Sequence, residues 1–133
     1  MIRNGTRMSK ILIVDDASNI TEMIQNMLET HGHEIAGVAH DGFEAIEKYK
    51  ALRPDVVLMD ILMPGMDGMQ SIKRILEFDQ EAKIVVVTAL GRPALMKESA
   101  EAGAVGFVTK PFEVRRLLGA IEVATSSHRK KKT

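Results

Sequence analysis

The stretch Val56-Val57-Leu58-Met59-Asp60 is four apolar side chains in a row, closed by a carboxylate. A short continuous apolar run of this kind suits a strand buried on both faces. The same form recurs on either side of it. Ile11-Leu12-Ile13-Val14 leads into Asp15 and Asp16, and Ile84-Val85-Val86-Val87 leads into Thr88. Two weaker runs are Ile35 to Ala39, broken by Gly37, and Val105 to Thr109, broken by Gly106. Their lower apolar density suits the edges of a sheet.

Between the runs the apolar period lengthens. Ile20, Met23, Ile24, Met27 and Leu28 share one helix face, with Ser18 or Asn19 as cap and Gly32 as terminator. Ala45, Ile46, Tyr49 and Leu52 mark a second helix, stopped by Pro54. Met69, Ile72, Ile75 and Leu76 mark a third. A fourth runs from Pro93 to Ala102 and ends at Gly103. Val114, Leu117, Leu118 and Ile121 mark a fifth, opened by Pro111 and Phe112. Strand then helix, repeated, predicts an α/β fold with a parallel sheet. The pattern places one domain over residues 9–127, after a flexible leader at 1–8 and before a basic tail at 128–133.

Composition narrows the function classes. The 133 residues allow one core but not two. The formal net charge is zero, so no global field points to nucleic acid or to a membrane surface. The absence of cysteine excludes disulfides and thiolate metal sites. No run reaches the ~20 apolar residues of a membrane span. The N-terminus has no signal-peptide core, so a cytoplasmic location is expected. His31 and His33 lack a third ligand and read as an exposed turn. The tail residues Arg129, Lys130, Lys131 and Lys132 read as a solvated end. Most of the nine methionines sit at apolar positions and read as adaptable core filling.

In an open parallel sheet, ligands bind beyond the carboxyl ends of the strands. The residues found there are Asp15 and Asp16, Asp60, Thr88, and Lys110 with Pro111. Three carboxylates on one rim repel each other, and a hard divalent cation relieves that repulsion. Mg²⁺ takes one or two carboxylates plus phosphate oxygens and keeps several waters. A lysine can pair with a phosphoryl oxygen, a hydroxyl can donate to another, and a carboxylate can attack phosphorus. The rim therefore has the parts for phosphoryl transfer, which needs mainly positioning and charge neutralisation. Pro64-Gly65-Met66-Asp67-Gly68 lacks the ending of a P-loop and reads as a turn into the third helix, with Asp67 as its cap.

Four segments carry a family resemblance. They are Ile13-Val14-Asp15-Asp16, Asp60-Ile61-Leu62-Met63-Pro64-Gly65-Met66-Asp67-Gly68, Val87-Thr88-Ala89 and Val108-Thr109-Lys110-Pro111. Together they resemble the receiver domains of two-component response regulators, in particular stand-alone chemotaxis-type regulators, from about Lys10 to Ser126. The resemblance implies a doubly wound, flavodoxin-like (βα)5 three-layer sandwich with sheet order 2-1-3-4-5. It implies Asp60 as phosphoacceptor and Asp16 as direct Mg²⁺ ligand, assisted by Asp15 and by the backbone carbonyl of Leu62. Thr88 resembles the hydroxyl that moves toward the phosphoryl group, Lys110 the lysine that pairs with it, and Phe107 the aromatic switch. The Lys110-Pro111 bond is expected to be cis.

The function so implied is a phosphorelay switch, not an enzyme acting on an outside substrate. A histidine kinase would donate the phosphoryl group. The face of helix 4, strand 5 and helix 5 would then regulate an effector protein. A monomer or a phosphorylation-dependent dimer is expected, without membrane or direct nucleic-acid partners. Leu62 and Leu90 stand where polar side chains would orient an attacking water, so slow self-dephosphorylation is expected. The competing reading is a receiver cut from a longer regulator with a DNA-binding or enzymatic output domain. A phosphatase with an aspartyl nucleophile would often carry a second acid at the position of Leu62, which argues against that class. The intact acid, hydroxyl and lysine set argues against a degenerate receiver.

Overall fold

The computed structural model describes residues 8–63 and 65–126. Most of the leader, Pro64 and the basic tail lie outside the described residues. The elements run β1 (Lys10–Val14), α1 (Ser18–Thr30), β2 (Glu34–Ala39), α2 (Gly42–Leu52), β3 (Val56–Met59), α3 (Gly68–Phe78), β4 (Ile84–Thr88), α4 (Pro93–Ala102), β5 (Gly106–Thr109) and α5 (Val114–Ser126). All strands pair in parallel, in the order β2-β1-β3-β4-β5. This is the doubly wound, flavodoxin-like sheet that the alternating pattern and the resemblance imply.

The three unbroken apolar runs are buried throughout because each strand feeds two layers. Leu12, Val14, Val57, Met59, Ile84 and Val86 join the core under α2, α3 and α4. Ile11, Ile13, Val56, Leu58, Val85 and Val87 join the core under α1 and α5. Successive side chains of a strand point to opposite faces, so a run with no polar break serves both cores. Full burial of each such side chain contributes about 1.5–3 kcal/mol.

Helix starts follow local hydrogen bonding. Asp41 accepts from the Glu44 N–H at 2.8 Å and caps α2, and Asp67 accepts from the Gln70 N–H at 3.0 Å and caps α3. The start of α1 differs from expectation. Neither Ser18 nor Asn19 caps it; the N-cap is Ala17, with no side-chain bond. The turn there is held instead by Asp15, whose Oδ1 accepts from the Ala17 N–H at 3.0 Å.

One further expectation is corrected. His33 is buried rather than on an exposed turn, because it lies under the start of β1. Its Nδ1 accepts from the Ser9 N–H at 3.1 Å, and its own N–H donates to the Leu28 carbonyl at 3.0 Å. Leu52 is exposed at the end of α2, with its Cδ1 lying over Gly37 of β2. Met59, Met63 and Met66 are core residues, whereas Met8, Met23 and Met96 are exposed.

Candidate metal and phosphoacceptor site

The ends of β1 and β3 meet at one point on the rim. The Asp60 N–H donates to the Val14 carbonyl at 3.0 Å, and the Asp15 N–H donates to the Ala39 carbonyl at 3.1 Å. These bonds extend the sheet pairing past the strand ends and set both carboxylates side by side. Asp15 is 3% exposed and Asp60 6% exposed. Asp16 is exposed beside them. One oxygen from each of the three acids lies within 4.8 Å of the others.

The two buried acids are held alike. One oxygen of each accepts the backbone N–H two residues ahead: Ala17 for Asp15, and Leu62 for Asp60, both at 3.0 Å. The second oxygen of each turns toward Lys110 from the end of β5. The Lys110 Nζ is 2.7 Å from Asp15 Oδ2 and 3.4 Å from Asp60 Oδ2. The Lys110-Pro111 peptide bond is cis. Lys110 also donates its backbone N–H to the Thr88 carbonyl at 2.8 Å, which ties β5 to β4 at the same rim.

Charge in the site is finely opposed. Burial pushes the pKa of Asp60 up, and the nearby Asp15 charge adds to this; the Leu62 N–H and Lys110 pull the other way. The net direction is upward. Burial also works against a charged Lys110, but the Asp15 hydrogen bond and the charges of Asp60 and Asp15 outweigh it, so its pKa is raised. One ammonium pairs with two of the three carboxylates. The donor set is all hard oxygen with a surplus of negative charge, and it fits a hard divalent cation such as Mg²⁺.

The remaining sequence candidates sit nearby in different ways. Thr88 ends β4, fully buried, and its Oγ1 accepts from the Leu90 N–H at 3.3 Å. Phe107 is half-buried on β5, beside Val86 in register and packed on the α2–α3–α4 core. Leu62 is 46% exposed, and its amide faces Asp60.

Residue choice alone does not reveal the two amides that hold the acids, since any residue can supply an N–H. Gly68 is a second addition. A Cβ there would collide with the Ile61 Cα and come within 2.7 Å of the Asp60 carbonyl oxygen. Glycine thus lets the start of α3 lie directly against the backbone of the acceptor. Gly42 does the same for α2, where a Cβ would strike Ser71 Oγ and the Met66 carbonyl.

A family model described as response regulator receiver domain matches residues 11–122. The chemotaxis protein CheY of Thermotoga maritima is 46% identical, over 84% of this chain and 93% of that protein. The Bacillus subtilis CheY is 43% identical over the same shares. Among solved structures, the CheX–CheY–BeF3–Mg²⁺ complex from Borrelia burgdorferi aligns with a TM-score of 0.82 at 34% identity, covering 88% of each chain. With the family model spanning most of the sequence and the fold in agreement, this chain belongs to the response regulator receiver domain family.

Proposed function

We propose that the chain is a phosphorylation-activated switch in which Asp60 takes a phosphoryl group from a histidine kinase with Mg²⁺ bound. The observation that carries this reading is the convergence of Asp15, Asp16 and Asp60 within 4.8 Å, with Lys110 closing the group. Mg²⁺, held by the three acids and the Leu62 carbonyl, would supply charge neutralisation to the incoming phosphoryl oxygens. An Asp60 carboxylate oxygen attacks phosphorus as the bond to the donor nitrogen breaks, leaving an aspartyl phosphate. The Lys110 ammonium leaves Asp15 to pair with one phosphoryl oxygen. The Thr88 hydroxyl turns from the Leu90 amide to donate to another. The crystallised Borrelia burgdorferi CheY with BeF3 and Mg²⁺ supports the same pairing of ligand and metal here.

Phe107 and the edge of β5 would carry the change outward. A shallow groove of about 450 Å³ lies between β5 and α5, lined by Val105, Phe107, Arg115, Arg116 and Val123 among others. This is the surface on which an effector protein would dock. The chain turns over no outside substrate and catalyses only its own phosphorylation and slow dephosphorylation. Leu62 and Leu90 offer no polar side chain to an attacking water.

Incubation with Mg²⁺ and a small phosphodonor, followed by intact mass, tests the acceptor. One phosphoryl mass is expected on the wild type and none on Asp60→Asn; labelling of that variant rejects Asp60. The label should then decay with a half-life well beyond seconds. Loss within seconds would remove the shielding role of the two leucines.

A further inference from the structure

Gly91 lies in the loop between β4 and α4, two residues past Ala89 and just before the α4 N-cap, Arg92. Its backbone does not require glycine. The described glycines with positive φ are Gly32, Gly65 and Gly103, and Gly91 is not among them. Space requires it instead. A Cβ at Gly91 would come within 2.9 Å of both Thr109 Cγ2 and Thr109 Oγ1. The loop therefore rests directly on Thr109, and a methyl group would have to lift it or turn Thr109.

The position of this contact gives it meaning. Thr109 pairs in register with Thr88. Two residues earlier on each strand, Phe107 pairs with Val86, and both belong to the α2–α3–α4 core. By strand alternation Thr88, Thr109 and Phe107 all face that same layer. One residue before Gly91, the Leu90 N–H donates to Thr88 Oγ1 at 3.3 Å. One residue after Thr109, the Lys110 N–H donates to the Thr88 carbonyl at 2.8 Å. The Gly91–Thr109 contact thus closes a short ring of contacts around Thr88.

We propose that Gly91 is a positioning residue that keeps the switch in its resting setting. By lying flush on Thr109 it holds the Leu90 amide against the Thr88 hydroxyl. This inference rests on the phosphoacceptor reading and deepens it by naming what holds Thr88 back. The population ratio of a two-state element changes exponentially with the free energy that distinguishes its states. Lifting the loop weakens the resting state alone, so the activated state gains population. Removal of one modest hydrogen bond corresponds to roughly a two- to tenfold change in a binding constant.

The test compares wild type with Gly91→Ala, Gly91→Ala/Thr109→Ala and Gly91→Ala/Thr109→Val. Alanine at 109 removes both colliding atoms, whereas valine keeps the bulk. The first measurement is hydrogen exchange at the Leu90 amide, without metal or phosphoryl analogue. Gly91→Ala should speed exchange there, Thr109→Ala should restore it, and Thr109→Val should not. The second is beryllofluoride affinity with Mg²⁺ present, expected to tighten by roughly two- to tenfold in Gly91→Ala and to return in the alanine double variant. Unchanged Leu90 exchange, or a change that Thr109→Ala fails to reverse, overturns the proposal. So does weaker beryllofluoride binding. A wild type that ignores beryllofluoride would reject the phosphoacceptor reading instead, and the metal-free exchange still decides the role of Gly91. Should Gly91→Ala unfold, Thr109→Leu presses on the same contact from the other side and should speed Leu90 exchange alike; no change there overturns the proposal.

Discussion

Burial raises the Asp60 pKa, and the Leu62 N–H and then the Lys110 ammonium oppose it without cancelling it. Lys110→Ala should therefore raise the Asp60 pKa further. Carbon-detected NMR titration of the Asp60 carboxyl, without metal, measures this; a lowered or unmoved midpoint contradicts it. Attack on phosphorus needs the carboxylate, and a bound cation favours that form, so Mg²⁺-dependent labelling should persist to a lower pH than the metal-free midpoint of Asp60. Asp15, Asp16, Asp60 and Lys110 are legible in the sequence because each follows an apolar run at a strand end. The two amides that fix Asp15 and Asp60 are not legible, since Ala17 and Leu62 contribute only backbone. His33 is misread for a related reason. Its partner, Ser9, is remote in sequence and becomes a neighbour only when β1 and β2 pair.

At the level of the element, α3 separates two effects that share adjacent residues. Asp67 caps the helix through the Gln70 amide. Asp67→Ala should cost about 1 kcal/mol of stability and leave Mg²⁺ affinity alone. Gly68 touches the backbone of Ile61 and Asp60. Gly68→Ala should cost about 1–3 kcal/mol and also weaken Mg²⁺ binding, because the acceptor strand end must move. Urea unfolding and a Mg²⁺ titration on both variants decide the matter; equal effects on metal affinity would show that Gly68 acts on stability only. The cap is legible because Asp before a helical pattern has a local cause. The close approach of α3 is not, because it depends on packing between distant segments. The start of α1 differs for a local reason: the helix begins one residue early, with Ala17 as N-cap and Ser18 already inside the first turn.

For the whole molecule, one group outside the site, His33, sets an acid limit. His33 must stay neutral to accept the Ser9 N–H that anchors β1 beside β2. Burial lowers its pKa, His31 lowers it further, and Glu122 of α5 acts in the opposite sense. The unfolded chain then binds a proton that the folded chain refuses. Stability from this group is present above about pH 6.5 and declines as pH falls toward the depressed folded value. His33→Asn keeps an acceptor in place and should flatten that decline in thermal melts between neutral and mildly acidic pH; an unchanged slope would exonerate His33. The helix count and the parallel pairing follow from the alternation of apolar runs with helical periods, because each run must bury both faces, whereas the sheet order rests on the family resemblance. What alternation does not convey is contact across the sequence, such as β1 over His33. The bond from Lys110 to Asp15 spans 95 residues, and this separation governs when the rim is neutralised. A chain emerging from the ribosome exposes all three acids long before β5 exists. Until β5 docks, those carboxylates lack the Lys110 ammonium, so the rim acquires its resident cation only after residue 110 has emerged.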